Sequence, residues 1–280
     1  MDDLLPLQSD HRRQWRDCLY VYPVISRRAK GLSIGVNLNP DKGCNFSCLY
    51  CQIDRGTRRG IHEVRLETLR DELRLALEAA TSGQLWTESR FAATPPHMRR
   101  INDIAFSGDG EPTCLTNFDQ AVALAADVKR RCGCRDVKLV VITNASNLDA
   151  PQVRRALPTL DAGSEEFFRQ VNRPAPGVTL RRVLDGIIDI ARGRPVVIQT
   201  LFFAIDGQAT PPSEIAAYCD RLREIIASGG RIKLVQLHTV ARRPTEKSVS
   251  ALDDANLDRI AQIVRKAVAP TPVETFYGSR

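Results

Sequence analysis

The sequence predicts an α/β chain built from parallel β/α units arranged as an open, partial barrel. Three observations lead there. Stretches of strand character alternate with stretches of helical periodicity along the 280 residues, which is the pattern of parallel β/α units. Several strand candidates are short, continuous apolar runs, as expected of strands buried on both faces. The strand candidates number six, with helices between them, as an open barrel of such units requires.

The elements follow in chain order. The first twenty or so residues lie outside the alternation, and Tyr20-Val21-Tyr22-Pro23-Val24, followed by Arg27 and Gly31, reads as a small hairpin covering one end. Residues 1–30 are therefore expected to be an N-terminal extension and 31–280 a single core domain. The first strand is Ser33–Asn37 and the first helix Leu66–Ala80. The segment Leu85–Arg99 is long and contains Pro95-Pro96, so it reads as a mobile loop or a disordered insert. Strands Asp103–Ser107 and Val137–Thr143 flank a helix at Asn117–Arg131. A helix at Ala150–Ala156 precedes a strand at Thr159–Ala162. Ser164, with Glu165 and Glu166 behind it, starts a helix reaching Val171. Leu180, Val183, Leu184, Ile187 and Ile188 give the helix Leu180–Ala191 a clean apolar face. Strand Val196–Phe203, helix Pro212–Ser228, strand Lys233–His238 and helix Asp253–Ala267 complete the series.

Hydrophobic residues make up 43% and charged residues 26%, ordinary values for a globular chain long enough to bury a sizeable core. No apolar run approaches the ~20 residues a membrane helix needs, so no membrane association is expected. The chain opens Met1-Asp2-Asp3, without the positive charge of a secretory signal, and carries eight cysteines. Together these point to a reducing, cytoplasmic setting in which thiols stay free for metals. The net charge is +7, with basic clusters at His11-Arg12-Arg13, Arg27-Arg28-Ala29-Lys30, Arg58-Arg59, Arg99-Arg100, Lys129-Arg130-Arg131 and Arg242-Arg243. Scattered solvated side chains and a phosphate-facing patch for RNA are both consistent with that charge.

The most informative stretch is Cys44-Asn45-Phe46-Ser47-Cys48-Leu49-Tyr50-Cys51, with spacing C-x3-C-x2-C. Thiolates select zinc, copper(I) or iron–sulfur clusters. A structural zinc site prefers four ligands in two pairs, and no second pair follows; His62 stands alone and Cys132-Gly133-Cys134 is spaced too tightly. A disulfide framework is not needed in a chain of this length. Spacing alone leaves an iron–sulfur site, zinc and chance clustering open. Three ligands on a four-iron cluster leave one iron open, and an open position lets a metal site do chemistry.

Tyr50 immediately before the last cysteine completes the form C-x3-C-x-aromatic-C, which resembles the cluster motif of the radical S-adenosylmethionine (SAM) superfamily. The flanking Ser33-Ile34-Gly35-Val36-Asn37-Leu38-Asn39-Pro40 and Gln52-Ile53-Asp54-Arg55 sharpen the likeness. The block looks like a subgroup of iron–sulfur oxidoreductases similar to the radical SAM part of the wybutosine-synthesising tRNA enzymes. The resemblance runs from about Tyr20 to Arg243. It implies a (β/α)6, TIM-like partial barrel.

It also implies a site. Cys44, Cys48 and Cys51 would hold a 4Fe-4S cluster, with Phe46 and Tyr50 packed near cluster and adenine. Ser107-Gly108-Asp109-Gly110-Glu111-Pro112-Thr113 ends the second strand. By itself it is a glycine turn whose missing Cβ atoms permit close approach to a ligand, with Pro112 ending the strand. It looks like the family's G-G-E-P segment, which binds the SAM amino group, in the variant form S-G-x-G-E-P, with Glu111 at the acidic position. Asn144, in Thr143-Asn144-Ala145-Ser146, would reach SAM as the T-N-G segment does in relatives, with Ala145 in place of the usual glycine. Asp161 at a strand end reads either as a helix cap or as a cofactor contact. Arg173 is a candidate partner for the SAM carboxylate. Gln199 and Gln236 interrupt apolar strands and read as cavity-facing, and His238 as cavity-facing or bonded to backbone. Cys219, on an apolar helix face, reads as core.

The activity implied is reductive cleavage of SAM, giving methionine and a 5′-deoxyadenosyl radical that abstracts hydrogen from a substrate. An external electron donor of the flavodoxin or ferredoxin type would be the partner, and a tRNA base is one substrate candidate. A glycyl-radical activating enzyme and a non-catalytic iron–sulfur electron carrier are the alternatives; the carrier predicts four ligands and no SAM pocket.

Overall fold

The computed structural model describes residues 13–26, 29–54, 63–148, 157–158, 160–242 and 244–278. The expected helix Ala150–Ala156 lies outside them, as do His11, Arg12, Arg27, Arg28, Arg58, Arg59, His62 and Arg243. The chain divides into two compact units, one of residues 1–43 and 57–142, the other of 44–56 and 143–280.

In the first unit, β1 (Val21–Ser26) runs antiparallel to β2 (Gly31–Val36), which pairs in parallel with β3 (Ile101–Phe106), and β3 in parallel with β4 (Lys138–Thr143). The hairpin expected near Tyr20 is therefore the strand β1 folded onto β2. Every residue of β2 is buried, including Ser33, whose hydroxyl donates to Asp103. Gly35 leaves room for the Tyr22 ring, since a Cβ there would stand 2.3 Å from Tyr22 Cζ. Helix α1 (Leu66–Thr81) buries Leu69, Leu73, Ala76, Leu77 and Ala80 as one stripe.

Glu72 lies on that same stripe and is buried. Its carboxylate accepts the backbone N–H groups of Leu19, Tyr20 and Val21 at 2.8, 2.8 and 3.0 Å. An acid there takes up the backbone donors at the start of β1. Glu72→Ala strands buried donors that each cost about 1–3 kcal/mol unpaired, so a loss of roughly 3 kcal/mol is expected in denaturant unfolding. An unchanged midpoint would show that water takes over the carboxylate's role.

The segment expected to be a mobile or disordered insert is neither. Residues 84–87, 89–92 (α2, Ser89–Ala92) and 96–98 form successive helical turns. They bury Leu85, Phe91 and Met98; three apolar anchors in fifteen residues outweigh Pro95-Pro96. Helix α3 (Phe118–Arg131) connects β3 to β4 in this unit.

The second unit carries β5 (Leu157–Pro158), α4 (Glu165–Asn172), α5 (Leu180–Gly193), β6 (Val196–Leu201), β7 (Phe203–Ile205), β8 (Gln208–Ala209), α6 (Pro212–Ala227), β9 (Ile232–His238), β10 (Val249–Ala251), α7 (Asp254–Val268) and β11 (Val273–Phe276). One sheet has the order β11-β9-β6, all parallel. A second, antiparallel sheet has the order β10-β7-β8. The expected strand Val196–Phe203 thus breaks at Phe202, and its tail turns into a hairpin through Asp206-Gly207, both at positive φ, the dipeptide that a tight hairpin turn favours. Where a strand was expected over Thr159–Ala162, the strand residues are Leu157–Pro158 and Thr159 lies outside the described residues.

The helix starts are as expected. Ser164 caps α4 by accepting from Phe167 N at 3.2 Å, and Cys219 is core. Behind Ser164 stands a second buried acid, Glu214, whose Oε1 accepts from Ser164 N at 3.1 Å and Oε2 from Ser164 Oγ at 2.6 Å. No helix among the described residues is long and apolar enough to cross a membrane.

Candidate cluster and SAM site

The loop that follows β2 is bonded, residue by residue, to the end of α4. The N–H of Ser47 points to the carbonyls of Asn172 and Arg173, each at 3.2 Å, that of Leu49 to Val171 O at 2.9 Å, and Ala175 N to Asn45 O at 2.8 Å. The Val171, Asn172 and Arg173 carbonyls are ones that a helix C-terminus leaves without intrahelical partners; for these the cysteine loop supplies the donors, while Asn45 O accepts from Ala175 in return. At its far end Thr245 N and Oγ1 both bond Cys51 O, at 3.1 and 3.0 Å.

The loop's apolar residues point into the second unit. Phe46 is 3% exposed and meets Phe168 edge-on, ring centres 5.6 Å apart. Leu49 is buried with Val171, Phe203, Val240 and Val249. Tyr50 packs on Phe203 at 5.5 Å and donates its hydroxyl hydrogen to Asp161. Phe46 and Tyr50 are therefore the loop's anchors. Apolar residues alternate with Cys44, Cys48 and Cys51, which are in no disulfide and are neither fully buried nor fully exposed.

Among the described residues, no three His, Cys, Asp or Glu side chains converge as on a single metal ion. A 4Fe-4S cluster takes each thiolate on a different iron, so its ligands need no such convergence. Three cysteines outside any disulfide, on one firmly held loop, fit that group. Burial, and after it the Asp161 carboxylate, pushes the Cys48 thiol up to about 12. Such a thiol gives up its proton to a coordinating metal and not to water.

Asp161 does not cap α4, a role taken by Ser164. Its Oδ1 accepts Leu201 N at 3.0 Å, while Oδ2 takes the Tyr50 hydroxyl and Asn172 Nδ2. Burial raises the Asp161 carboxyl, opposed by these donors; burial and then Asp161 raise Tyr50 well above the usual phenol.

Asn144 braces the cysteine loop. Its Nδ2 donates to Asn45 Oδ1 at 2.8 Å, Asn45 Nδ2 to Ser146 Oγ at 2.7 Å, and Ser146 N and Oγ to Asn144 Oδ1 at 3.0 and 2.7 Å. Ala145 between them has φ +62, a left-handed conformation that glycine adopts more readily. Phe46, Asn144, Asp161, Phe168 and Asn172 line one small cleft.

Four further residues of the second unit, Arg173, Gln199, Gln236 and His238, are not among those that line this cleft. Arg173, at φ +44 after α4, pairs with Glu246 at 2.7 Å. Gln199 Nε2 donates to Gln236 Oε1 at 3.1 Å across β6 and β9. His238 stacks on Phe276 with centres 4.7 Å apart.

Gly108–Pro112 lies in the first unit. A Cβ on Gly110 would stand 1.9 Å from Gly43 O, and one on Gly108 would stand 2.1 Å from Asn37 Oδ1. The close approach read from these glycines is thus made by the chain's own segment 37–43. Asp109 is held by Asn37 Nδ2 at 2.7 Å and by Arg13. Glu111 is 3% exposed and its Oε1 accepts from Thr113 N and Oγ1 at 3.1 and 2.5 Å. Pro112 does not end the strand: β3 stops at Phe106, and Pro112 opens a short helical turn.

Sequence reasoning missed Ser146, Asn172 and Thr245 as the loop's partners and Asn45 as the loop residue that meets Asn144 and Ser146. Asn172, last in its helix and followed by Arg173-Pro174, carried a faint signal; the others carried none.

Residues 38–204 match the radical SAM superfamily, and the chain belongs to it. The superfamily uses a 4Fe-4S cluster and SAM, and membership indicates an enzyme of SAM-dependent radical chemistry. Over 173 residues the chain is 30% identical to a UPF0026 protein of Methanocaldococcus jannaschii, matching 59% of this chain and 47% of that protein. It spans about half the length of that relative, and 32% of another. Its fold resembles a radical SAM methyltransferase from Sphaerobacter thermophilus, with TM-score 0.63 at 15% identity, covering 92% of this chain and 69% of that one. It also resembles TYW1 with a lysine–pyruvate adduct bound, with TM-score 0.58 at 14% identity, covering 84% and 73%.

Proposed function

We propose that Cys44, Cys48 and Cys51 hold the 4Fe-4S cluster and that the chain is an enzyme acting on a tRNA base. The observation that carries the cluster reading is the loop itself, three cysteines outside any disulfide on a backbone pinned at Ser47, Leu49 and Cys51. When bound and reduced, the cluster and SAM together supply a 5′-deoxyadenosyl radical, with methionine as co-product, and that radical abstracts hydrogen from the substrate. The chain's residues position and shield. Phe46 and Tyr50 fix the loop and keep water from its inner side. Asn144 fixes Asn45, next to Cys44. Gly108, Asp109, Gly110, Glu111 and Pro112, with Asp161, Arg173, Gln199 and Gln236, are the groups offered to SAM. The (β/α)6 partial barrel, the division into an extension (1–30) and a core (31–280), a cytoplasmic setting and an external flavodoxin- or ferredoxin-type donor belong to the same reading.

The net charge of +7 supports a polyanionic substrate. Reduced protein is expected to cleave SAM slowly to 5′-deoxyadenosine without substrate, and to retard bulk tRNA in a gel at low salt, with affinity falling steeply as salt rises because each neutralised phosphate releases counterions. Charge reversal at Arg58 and Arg59 should weaken the shift further. Absence of 5′-deoxyadenosine overturns the enzyme reading. Absence of retardation at low salt removes RNA and leaves a small molecule or a protein glycine as substrate.

A further inference from the structure

We propose that the side-chain amide of Asn172 donates to the sulfur of Cys48 and thereby raises the reduction potential of the cluster that Cys48 holds. The inference rests on the reading of Cys48 as an iron ligand.

Asn172 is the last residue of α4 and only 2% exposed. Its Nδ2 lies 3.6 Å from Cys48 Sγ, 3.3 Å from the Tyr50 hydroxyl oxygen and 3.3 Å from Asp161 Oδ2. The amide's orientation follows from its neighbours, because turning it over would set Oδ1 against a carboxylate and a sulfur. An asparagine amide has two N–H groups. The Tyr50 hydroxyl gives its own hydrogen to Asp161, so one amide N–H serves that pair and the other is left for sulfur.

The far side of the amide is informative. Asn172 Oδ1 is buried without a hydrogen-bond partner. A residue present only for packing would be an apolar side chain of the same shape, which strands no oxygen. What the asparagine adds is the donor. The main chain around Cys48 is also tied to this helix end, since Ser47 N points to Asn172 O and Leu49 N to Val171 O. Sulfur is a weak acceptor as a thiol, and a charged acceptor makes the stronger bond. Hydrogen bonds to cluster sulfurs are among the levers on potential. A donor favours the form carrying more negative charge, which is the reduced one.

The test is a redox titration, followed by electron paramagnetic resonance, of the anaerobically reconstituted full chain as wild type, Asn172→Leu and Val171→Ala. Val171 is fully buried on the same helix turn, so its truncation loosens packing without removing a donor. Asn172→Leu is expected to load the wild-type amount of iron, to shift its midpoint to more negative values and to change the reduced-state spectrum. Val171→Ala is expected to keep the wild-type midpoint. A loaded Asn172→Leu with the wild-type midpoint overturns the proposal, and so does an equal shift in Val171→Ala. If the leucine variant does not fold, Asn172→Ala is read by the same two outcomes. Wild type that never loads iron overturns the ligand reading and this inference with it, and that result is in hand before any variant is compared.

Discussion

Anaerobically reconstituted wild type is expected to carry about four irons and four sulfides per chain, and Cys44→Ala, Cys48→Ala and Cys51→Ala are each expected to carry almost none. Each variant removes one of three ligands from a site that has no spare thiol on its loop. Cys132→Ala and Cys134→Ala should keep the full complement. Those two sit at the end of α3, where Cys134 Sγ bonds the Cys132 carbonyl at 3.5 Å. Iron and sulfide assays decide the matter. Zinc in the wild type, with iron never loading, would refute the cluster reading whatever the variants show.

The second large effect is expected of Gly110→Ala. The new methyl would overlap a backbone oxygen, Gly43 O, at 1.9 Å, and Asn39 Cβ at 2.6 Å. Neither neighbour is the far end of a flexible side chain. The segments must part, and the bond from Glu111 N to Gly43 O at 2.9 Å goes with them. Overpacking and a lost hydrogen bond together cost roughly 2–4 kcal/mol. Denaturant unfolding should show that loss, while Gly133→Ala is a useful contrast. A Cβ at Gly133 meets nothing within 4 Å, although its φ of +73 still imposes backbone strain. A Gly110→Ala protein as stable as wild type would mean that segment 37–43 gives way freely.

The sequence made much of this legible because its main signals are local. The buried run of β2, the stripe of α5 and the Ser164 cap depend on neighbours a few residues away, and each element lies within a residue or two of its expected bounds. The cysteine spacing is equally local. What stayed hidden depends on partners far along the chain. Glu72 and Glu214 look like surface acids until the backbone donors they accept are known. The helical turns over 84–98 were hidden behind Pro95-Pro96, because the burial of Leu85, Phe91 and Met98 is a tertiary fact. Glycines 108 and 110 advertised a close approach correctly but not what approaches, which in the first unit is Asn37–Gly43. Asn144 was placed at a strand end correctly, yet its bond to Asn45 spans 99 positions, beyond any periodicity.

The ties at Asn172 and Thr245 also set a timetable for synthesis. Cys51 leaves the ribosome 194 residues ahead of the threonine that holds its carbonyl. At about 5–20 residues per second that interval is roughly 10–40 s. Throughout it the three thiols ride on a nascent segment whose frame does not yet exist, open to oxidation and to adventitious metals. The loop becomes a defined binding surface only after Thr245 has been made, so loading follows that point of synthesis, and a ribosome stalled before Thr245 holds the cysteines without the architecture that arranges them.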